Sequence, residues 1–355
     1  MAPLLSICIP TYKRADLLEI ALQALLPQIK AAGDAVELIV SDNCSPDQTP
    51  KVVKRAQARG SILYHRSETN VGIAGNIHKL CNELAAGEFA WILGDDDWLL
   101  PGGLERVLSV LRKFPEVDYV FVNTAIKHPW ERNDYKHLVA APNLSELLPT
   151  KAKDLTERPV ERWEELIDPE VDDVFLGAVM CSVFRLSRWR THKLKCRTGD
   201  APFTSLDITY PHTVTLAQTM IGRKAYYLGY PCTVTFFGEQ EWIGYLPSIV
   251  LVRLQELLDL YLELGVNPRQ IQKCRESLLN ISTGALKEML LNPETLCSEY
   301  FSLPKFVWKN KHNYRKLCRT LSDIYLSGKL PKPMYEALRS AKRQTLRLLG
   351  RRVEQ

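Results

Sequence analysis

The sequence predicts an α/β fold, a largely parallel sheet with helices on both faces, joined to a C-terminal helical module. Two observations carry this reading. Through residue 123, short apolar runs of strand character alternate with longer segments whose apolar residues recur at i, i+3 and i+4, whereas beyond residue 246 only the second pattern occurs. Alternation of that kind needs crossover connections, and these make neighbouring strands parallel.

The elements follow in order. Leu4–Ile9 reads as a buried strand ended by Pro10, and Ala15–Lys30 as a helix with Leu18, Leu22, Leu25, Leu26 and Ile29 on one face. Val36–Val40 is a second strand, running into the loop S-D-N-C-S-P-D-Q-T before a helix at Thr49–Arg59. A third strand, Ile62–Arg66, leads to N-V-G-I-A-G-N and a helix at Ile73–Ala85. Phe89–Leu93, a helix at Gly103–Phe114 and a strand at Tyr119–Val122 complete the first half. Residues 127–172 are polar and proline-punctuated and read as a surface excursion. Gly177–Arg190 recovers apolar content; Pro211–Ile221 is helical, and Ala225–Tyr230 and Thr233–Phe237 are strands separated by Pro231. Ile249–Leu264, Arg269–Leu290 and Lys316–Leu326 carry long apolar stripes. The expected division is 1–245 for the α/β domain, in halves 1–123 and 124–245, and 246–355 for the helices.

A hydrophobic content of 46% supports a packed core, and a net charge of +5 over 355 residues is too mild to suggest a nucleic-acid partner. Nine cysteines without C-x-x-C or zinc spacing argue for a reducing compartment and against a disulfide framework. The opening M-A-P-L-L-S-I-C-I-P is too short and uncharged for a secretory leader, and no apolar run reaches eighteen residues. A cytoplasmic protein is expected.

Trp91–Pro101 reads W-I-L-G-D-D-D-W-L-L-P. The preceding strand delivers Asp95, Asp96 and Asp97 to its carboxyl end, where ligands of open α/β sheets gather. Three adjacent carboxylates repel one another, and such hard oxygen donors suit Mg²⁺ or Mn²⁺ completed by water and substrate phosphates. A solvated acidic turn is the plain alternative, but the flanking Trp98-Leu99-Leu100 argues for a partly enclosed site.

Three strand-end loops now line up: P-T-Y-K-R at 10–14, S-D-N-C-S-P-D at 41–47 and G-D-D-D at 94–97. Their order and spacing resemble the family-2 inverting glycosyltransferases of the GT-A fold, the Rossmann-like nucleotide-diphospho-sugar transferase fold, and most of all the abequosyltransferase-like enzymes of bacterial surface-polysaccharide assembly. The resemblance covers residues 4–123 closely and 175–240 loosely, and ends before 246.

It implies a nucleoside diphosphate sugar donor, a glycan or lipid-linked acceptor and a Mn²⁺ or Mg²⁺ cofactor. Pro10, Thr11 and Arg14 would lie at the diphosphate edge. Asp42 would bind the base, favouring uridine or thymidine because a carboxylate accepts their N3–H; the alternative is an Asx bond to its own loop. Asn43 and Cys44 stand where the family has Asp-Gly. Asn70, Gly72 and Asn76 would border the sugar nucleotide, with Gly72 admitting a close backbone and the helix start favouring anions; Arg66 is a neighbouring cation. Counting back from Pro101 makes Asp96 the principal metal ligand, then Asp95, with Asp97 third.

The implied mechanism is direct displacement, with a general base taking the acceptor proton. The stretch S-L-D-I-T-Y-P-H offers Asp207 and His212 as catalytic candidates, with Asp200, Glu239 and Glu241 behind them. His212 could equally pack in a first helical turn. The Phe236–Trp242 loop could close over the sugar or simply connect. Leu338–Val353 reads either as a basic amphipathic helix in peripheral contact with the plasma membrane's inner face or as a solvated terminus. Rival classes are a sugar nucleotidyltransferase, which would want a Gly-rich loop after the first strand, and a nucleotide-sugar-binding protein without catalysis.

Overall fold

The computed structural model describes residues 2–127, 149–193, 201–236, 240–292 and 294–329. Strands β1 (Leu5–Thr11), β2 (Val36–Asp42), β3 (Leu63–Arg66) and β4 (Phe89–Ile92) form a parallel half-sheet in the order β3-β2-β1-β4. β1 is central there, with Ile7 opposite both Leu38 and Trp91. Its side chains alternate between two cores, because successive strand residues face opposite sides. Leu5, Ile7 and Ile9 meet helices α1 (Ala15–Ala32), α2 (Thr49–Gln57) and, farther along the sheet, α4 (Gly103–Lys113). Cys8 faces the opposite core, with Ile77 of α3 (Gly72–Lys79) and the π-helical turn Leu80–Leu84.

The other half corrects the expectation of a largely parallel sheet. β8 (Ser182–Arg185) lies antiparallel between β4 and β6 (Tyr119–Lys127), while β5 (Asp97–Leu99) and β7 (Glu157–Val160) pair antiparallel with β9 (Ala225–Phe236). Among the described residues, only β6 and β9 run parallel in this half. The nine-stranded sheet is therefore mixed. β5, β7 and β8 read D-W-L, E-R-P-V and S-V-F-R, with too few consecutive apolar residues to mark a strand in the sequence.

The two strands expected around Pro231 are one. Val122 pairs with Leu228 and Thr124 with Thr233, so four residues of β9 bulge out between those registers. Such a bulge accommodates a residue without an N–H. Asn123, fully buried, stitches it: its amide donates to the carbonyls of Gly229 and Ala152, both at 2.8 Å, and its Oδ1 accepts from Ala152 N–H at 3.0 Å.

Residues 149–172 are also more than a surface excursion, since Trp163, Leu166 and Ile167 are buried in the main core. Those anchors are sparse among Glu and Arg, so average polarity concealed them; residues 128–148 lie outside the described part. Behind them come α5 (Leu186–Trp189), α6 (Leu206–Thr209) and α7 (Pro211–Met220). Of the C-terminal helices, α8 (Leu254–Glu263) and the first half of α9 (Pro268–Leu291) put Leu257, Leu258, Tyr261 and Leu278 into the same core as the sheet. The rest of α9 packs with α10 (Leu303–Lys309) and α11 (Tyr314–Lys329) around Leu286, Phe306, Leu317 and Ile324.

Because Asn123 serves buried groups of three chain segments, Asn123→Ala should cost about 3 kcal/mol by leaving them unpaired. Urea unfolding checks this; a loss under about 1 kcal/mol would mean that the bulge holds without it.

Candidate active site

β1 and β2 end side by side, with Thr11 in register with Asp42, so their following loops share the carboxyl edge of the sheet. Asn43 N–H donates to Thr11 C=O at 2.9 Å, and Lys13 N–H to Ser45 Oγ at 3.0 Å. Both loops contain a non-glycine residue in the left-handed region, Lys13 at φ 57° and Cys44 at φ 64°. Backbone strain of this kind persists where surrounding bonds enforce it. Asp47 enforces it from below, accepting from Ala15 N–H at the start of α1 and from Thr49 at the start of α2.

Onto this platform β4 brings the three aspartates. Thr11 Oγ1 donates to Asp95 Oδ2 at 2.7 Å, and the Arg14 guanidinium reaches Asp95 Oδ1 with one nitrogen and Asp96 Oδ2 with the other, each at 2.8 Å. Asp96 is the most accessible of the three, its side chain 14% exposed, and it also accepts from Gln240 at 3.3 Å. Asp97 is spent on the fold: one oxygen accepts from Gly94 N–H and the other from Thr235 of β9, both at 2.8 Å.

Burial pushes the Asp95 carboxyl up to about 7, against the opposing pull of Arg14, and burial with the Asp96 charge pushes Asp97 to about 7 as well. One guanidinium thus compensates only part of the negative charge. Asp95 and Asp96 fit a divalent cation: they are hard oxygen donors that already share one cationic group. Among the described residues no three His, Cys, Asp or Glu side chains converge as a complete metal cage, so the protein would supply part of the coordination. Asp97, named third from the sequence, does not join that set.

The remaining donor-side residues mostly bind each other. Asp42 has no exposed surface; its oxygens accept from Ser45 N–H at 2.8 Å and the Tyr64 hydroxyl at 2.7 Å, with Arg66 at 3.5 Å. This is the Asx bond to its own loop, and it corrects the base-binding role: a base could reach the carboxylate only if Tyr64 and the loop withdrew. Asn43 ties the loop to the next one, donating to Asn70 and Gly72 and accepting from Val71 N–H. Gly72 has φ +74° and nothing within 4 Å of where a Cβ would stand, so the backbone turn, not a close approach, calls for glycine. Asn76 is buried and donates to Ser41 C=O at 2.9 Å. Pro10 closes toward the edge as the half-buried penultimate residue of β1.

On the acceptor side, Ser205 caps α6 by accepting from Ile208 N–H, and Asp207 sits half-buried in its first turn. α6 packs against α3, which places Asp207 beside the helix that opens at Gly72. His212 is corrected as a base. It is 5% exposed, its Nε2 lies 3.0 Å from Gly177 C=O, and burial drives the imidazole down to about 4. Facing a carbonyl, Nε2 must carry the proton, which leaves Nδ1 as the basic nitrogen, buried without a partner. His212 packs; it does not face an acceptor. Asp200, residues 237–239 and the side chain of Glu241 lie outside the described residues.

Residues 6–195, just over half of the chain, match the family described as Glycosyl transferase family 2. The chain belongs to glycosyltransferase family 2. Among curated relatives, abequosyltransferase RfbV of Salmonella typhimurium is 37% identical over 110 residues, 30% of this chain and 32% of that protein. The GalNAc(5)-diNAcBac-PP-undecaprenol beta-1,3-glucosyltransferase of Campylobacter jejuni is 35% identical over 109 residues, 30% of this chain and 34% of that protein. The chain thus matches about a third of these relatives' length. Among solved structures, S. aureus TarS 1-349 in complex with UDP-GlcNAc superposes with a TM-score of 0.51 at 14% identity, over 88% of this chain and 89% of that one. Mannosyltransferase PcManGT from Pyrobaculum calidifontis, in complex with GDP-Man and Mn²⁺, gives 0.50 at 15% identity, over 95% and 83%. These likenesses show the GT-A fold.

The chain also carries a cluster that sequence reasoning missed. Lys151 Nζ lies 3.0 Å from Asp172 and 2.6 Å from Asp173, and Asp172, fully buried, accepts from Val174 and Ala178 N–H. The cluster's two acids precede β8, whose start lies beside the end of β4 and the middle of β6. Phe175 and Leu176, consecutive and buried, are left-handed at φ 57° and 66°. The paired acids at 172–173 were a visible signal; Lys151 had none, since a lysine in a polar stretch reads as solvated.

Raised carboxyl pKa values have a definite sign in stability. Asp95 and Asp97 bind protons more tightly in the folded chain than near 3.9 when unfolded, so their contribution is full below about 4 and is lost as pH rises through about 7. In EDTA, the Tm should therefore fall from pH 5 to pH 8, and less steeply in Asp95→Asn. A Tm that rises over this interval in both proteins would contradict the assignment.

Proposed function

We propose that this chain transfers a sugar from a nucleoside diphosphate donor to a glycan or lipid-linked acceptor, with inversion, in assembly of a bacterial surface polysaccharide. The observation that carries the reading is Arg14 and Thr11, from the first strand-end loop, meeting Asp95 and Asp96 from the fourth. Mn²⁺ or Mg²⁺ would be held by Asp96 and Asp95, in keeping with the Mn²⁺ of the PcManGT structure. When bound, the cation supplies positive charge for the departing diphosphate.

The chain's own residues do the rest. Thr11 and Gln240 orient the two carboxylates, and Thr235 holds the loop through Asp97. Arg14, 22% exposed, stands where it can turn from the aspartates to an incoming diphosphate. The start of α3 follows the loop that Asn43 ties to this edge, and a helix N-terminus favours anions, although Gly72 N–H is already held by Asn70 Oδ1. Asp207, whose carboxylate makes no hydrogen bond or ion pair among the described residues, is the base that takes the acceptor proton. With Asp42 sealed, uridine or thymidine preference loses its carrier, and recognition in this reading centres on the diphosphate. No described helix is long and apolar enough to cross a membrane, and the basic segment Leu338–Val353 lies outside the described residues.

A thermal-shift panel of UDP, dTDP and GDP sugars tests the binding half. Stabilisation should require Mn²⁺ and vanish in Asp96→Ala; stabilisation that persists in EDTA sinks the cation role. Transfer kinetics test the chemical half. Asp207→Asn should lower kcat by roughly 10²- to 10⁴-fold at unchanged donor affinity, whereas His212→Ala should lower Tm without that selective loss. A wild-type kcat in Asp207→Asn excludes it as the base.

A further inference from the structure

Away from the catalytic edge, helices α8, α9 and α10 and the turn after α10 border an open cavity of about 590 Å³. Its apolar part is Leu262, Pro268 and Ile271, with Trp308 at the margin, 66% exposed. The polar part is dominated by cations. Arg275 and Lys309 both pair with the single carboxylate of Asp259, Arg275 at 2.5 Å. Arg275 is itself only 7% exposed and is fixed further by the side-chain oxygen of Gln255. Arg269 adds a third cation, exposed, whose guanidinium makes no hydrogen bond or ion pair among the described residues, and Lys311 lies over the Trp308 ring at 4.9 Å.

One carboxylate therefore faces four cationic side chains. Holding like charges around a concave, partly apolar surface is unfavourable unless an anion completes them, and guanidinium and ammonium groups together suit phosphate oxygens. The apolar wall and the open indole leave room for carbon chain next to that anion. We propose that this cavity binds a phosphate or diphosphate group carrying an apolar chain, at a site separate from the donor site. Arg275 and Lys309, fixed by Asp259, form the base of the anion site; Arg269 and Lys311 close over it, and Trp308 lies against the chain.

The full-length protein labelled with 5-fluorotryptophan tests this by ¹⁹F NMR in EDTA, with the Trp308 signal identified by its loss in Trp308→Phe. The probes are inorganic pyrophosphate, dihexanoylphosphatidic acid and dihexanoylphosphatidylcholine, the lipids below their micelle concentration, with chloride at matched ionic strength as control. The expected result is a saturable shift of the Trp308 signal by phosphatidic acid, unchanged in Asp96→Asn and obtained with pyrophosphate only at higher concentration. A response to pyrophosphate equal to that with phosphatidic acid shows a free-phosphate site in which the apolar chain has no part, and overturns the proposal. The exposed-site variant Arg269→Gln/Lys311→Gln, with Tm unchanged, should weaken binding by about tenfold or more. No shift with either anion, the same shift with chloride or phosphatidylcholine, or undiminished affinity in the double variant overturns the proposal.

Discussion

The site depends on one guanidinium between two carboxylates. Asp95 and Asp96 are adjacent in sequence and lie at the mouth of a sheet, where water is scarce and like charges repel strongly. Arg14 offsets that repulsion with two parallel nitrogens, a geometry that lysine could not supply. It arrives there because β1 and β4 pair in parallel, which sets the loops after Thr11 and Leu93 against each other. The left-handed Lys13 then turns the chain so that Arg14 points back over β4. The pair is thus a product of topology, and it leaves the carboxylates oriented but short of positive charge.

The mixed half of the sheet serves that same edge. β9 runs from the core at Ala225 to Thr235, whose hydroxyl holds Asp97, and its bulge beside Asn123 lets the outer part of the strand keep register with β6 after Pro231. β5 is the return of the aspartate loop onto β9, so the loop is tied at both ends. The insertion of β8 between β4 and β6 brings the Lys151–Asp172–Asp173 cluster to the neighbouring position.

The parallel half was legible in the sequence because β1, β2 and β4 are apolar runs flanked by polar loops, and α1, α2 and α4 have clear stripes. The aspartates were legible for the same reason: an acidic triplet set between Leu93 and Trp98 is costly to enclose unless a cation meets it. Burial of polar groups was not legible. Asp42 and His212 have the residue types a site needs, yet one is sealed by Tyr64 and Ser45 and the other faces Gly177 C=O. Conversely, Trp163 and Lys151 sit in a polar stretch whose averages hide them. The C-terminal region is helical as its apolar stripes predict, but its first two helices share the sheet's core because Leu257 and Tyr261 pack against it.

A double-mutant cycle on the central pair tests this account most directly. Stability is measured by urea unfolding in EDTA for wild type, Arg14→Met, Asp95→Asn and the double variant. The account predicts a coupling energy of about 2 kcal/mol or more, because Arg14→Met strands the buried Asp95 carboxylate in the wild-type background and has no such charge to strand once Asp95 is Asn. Additivity within about 0.5 kcal/mol would show that the guanidinium and the carboxylate are neighbours without being partners, and would contradict it.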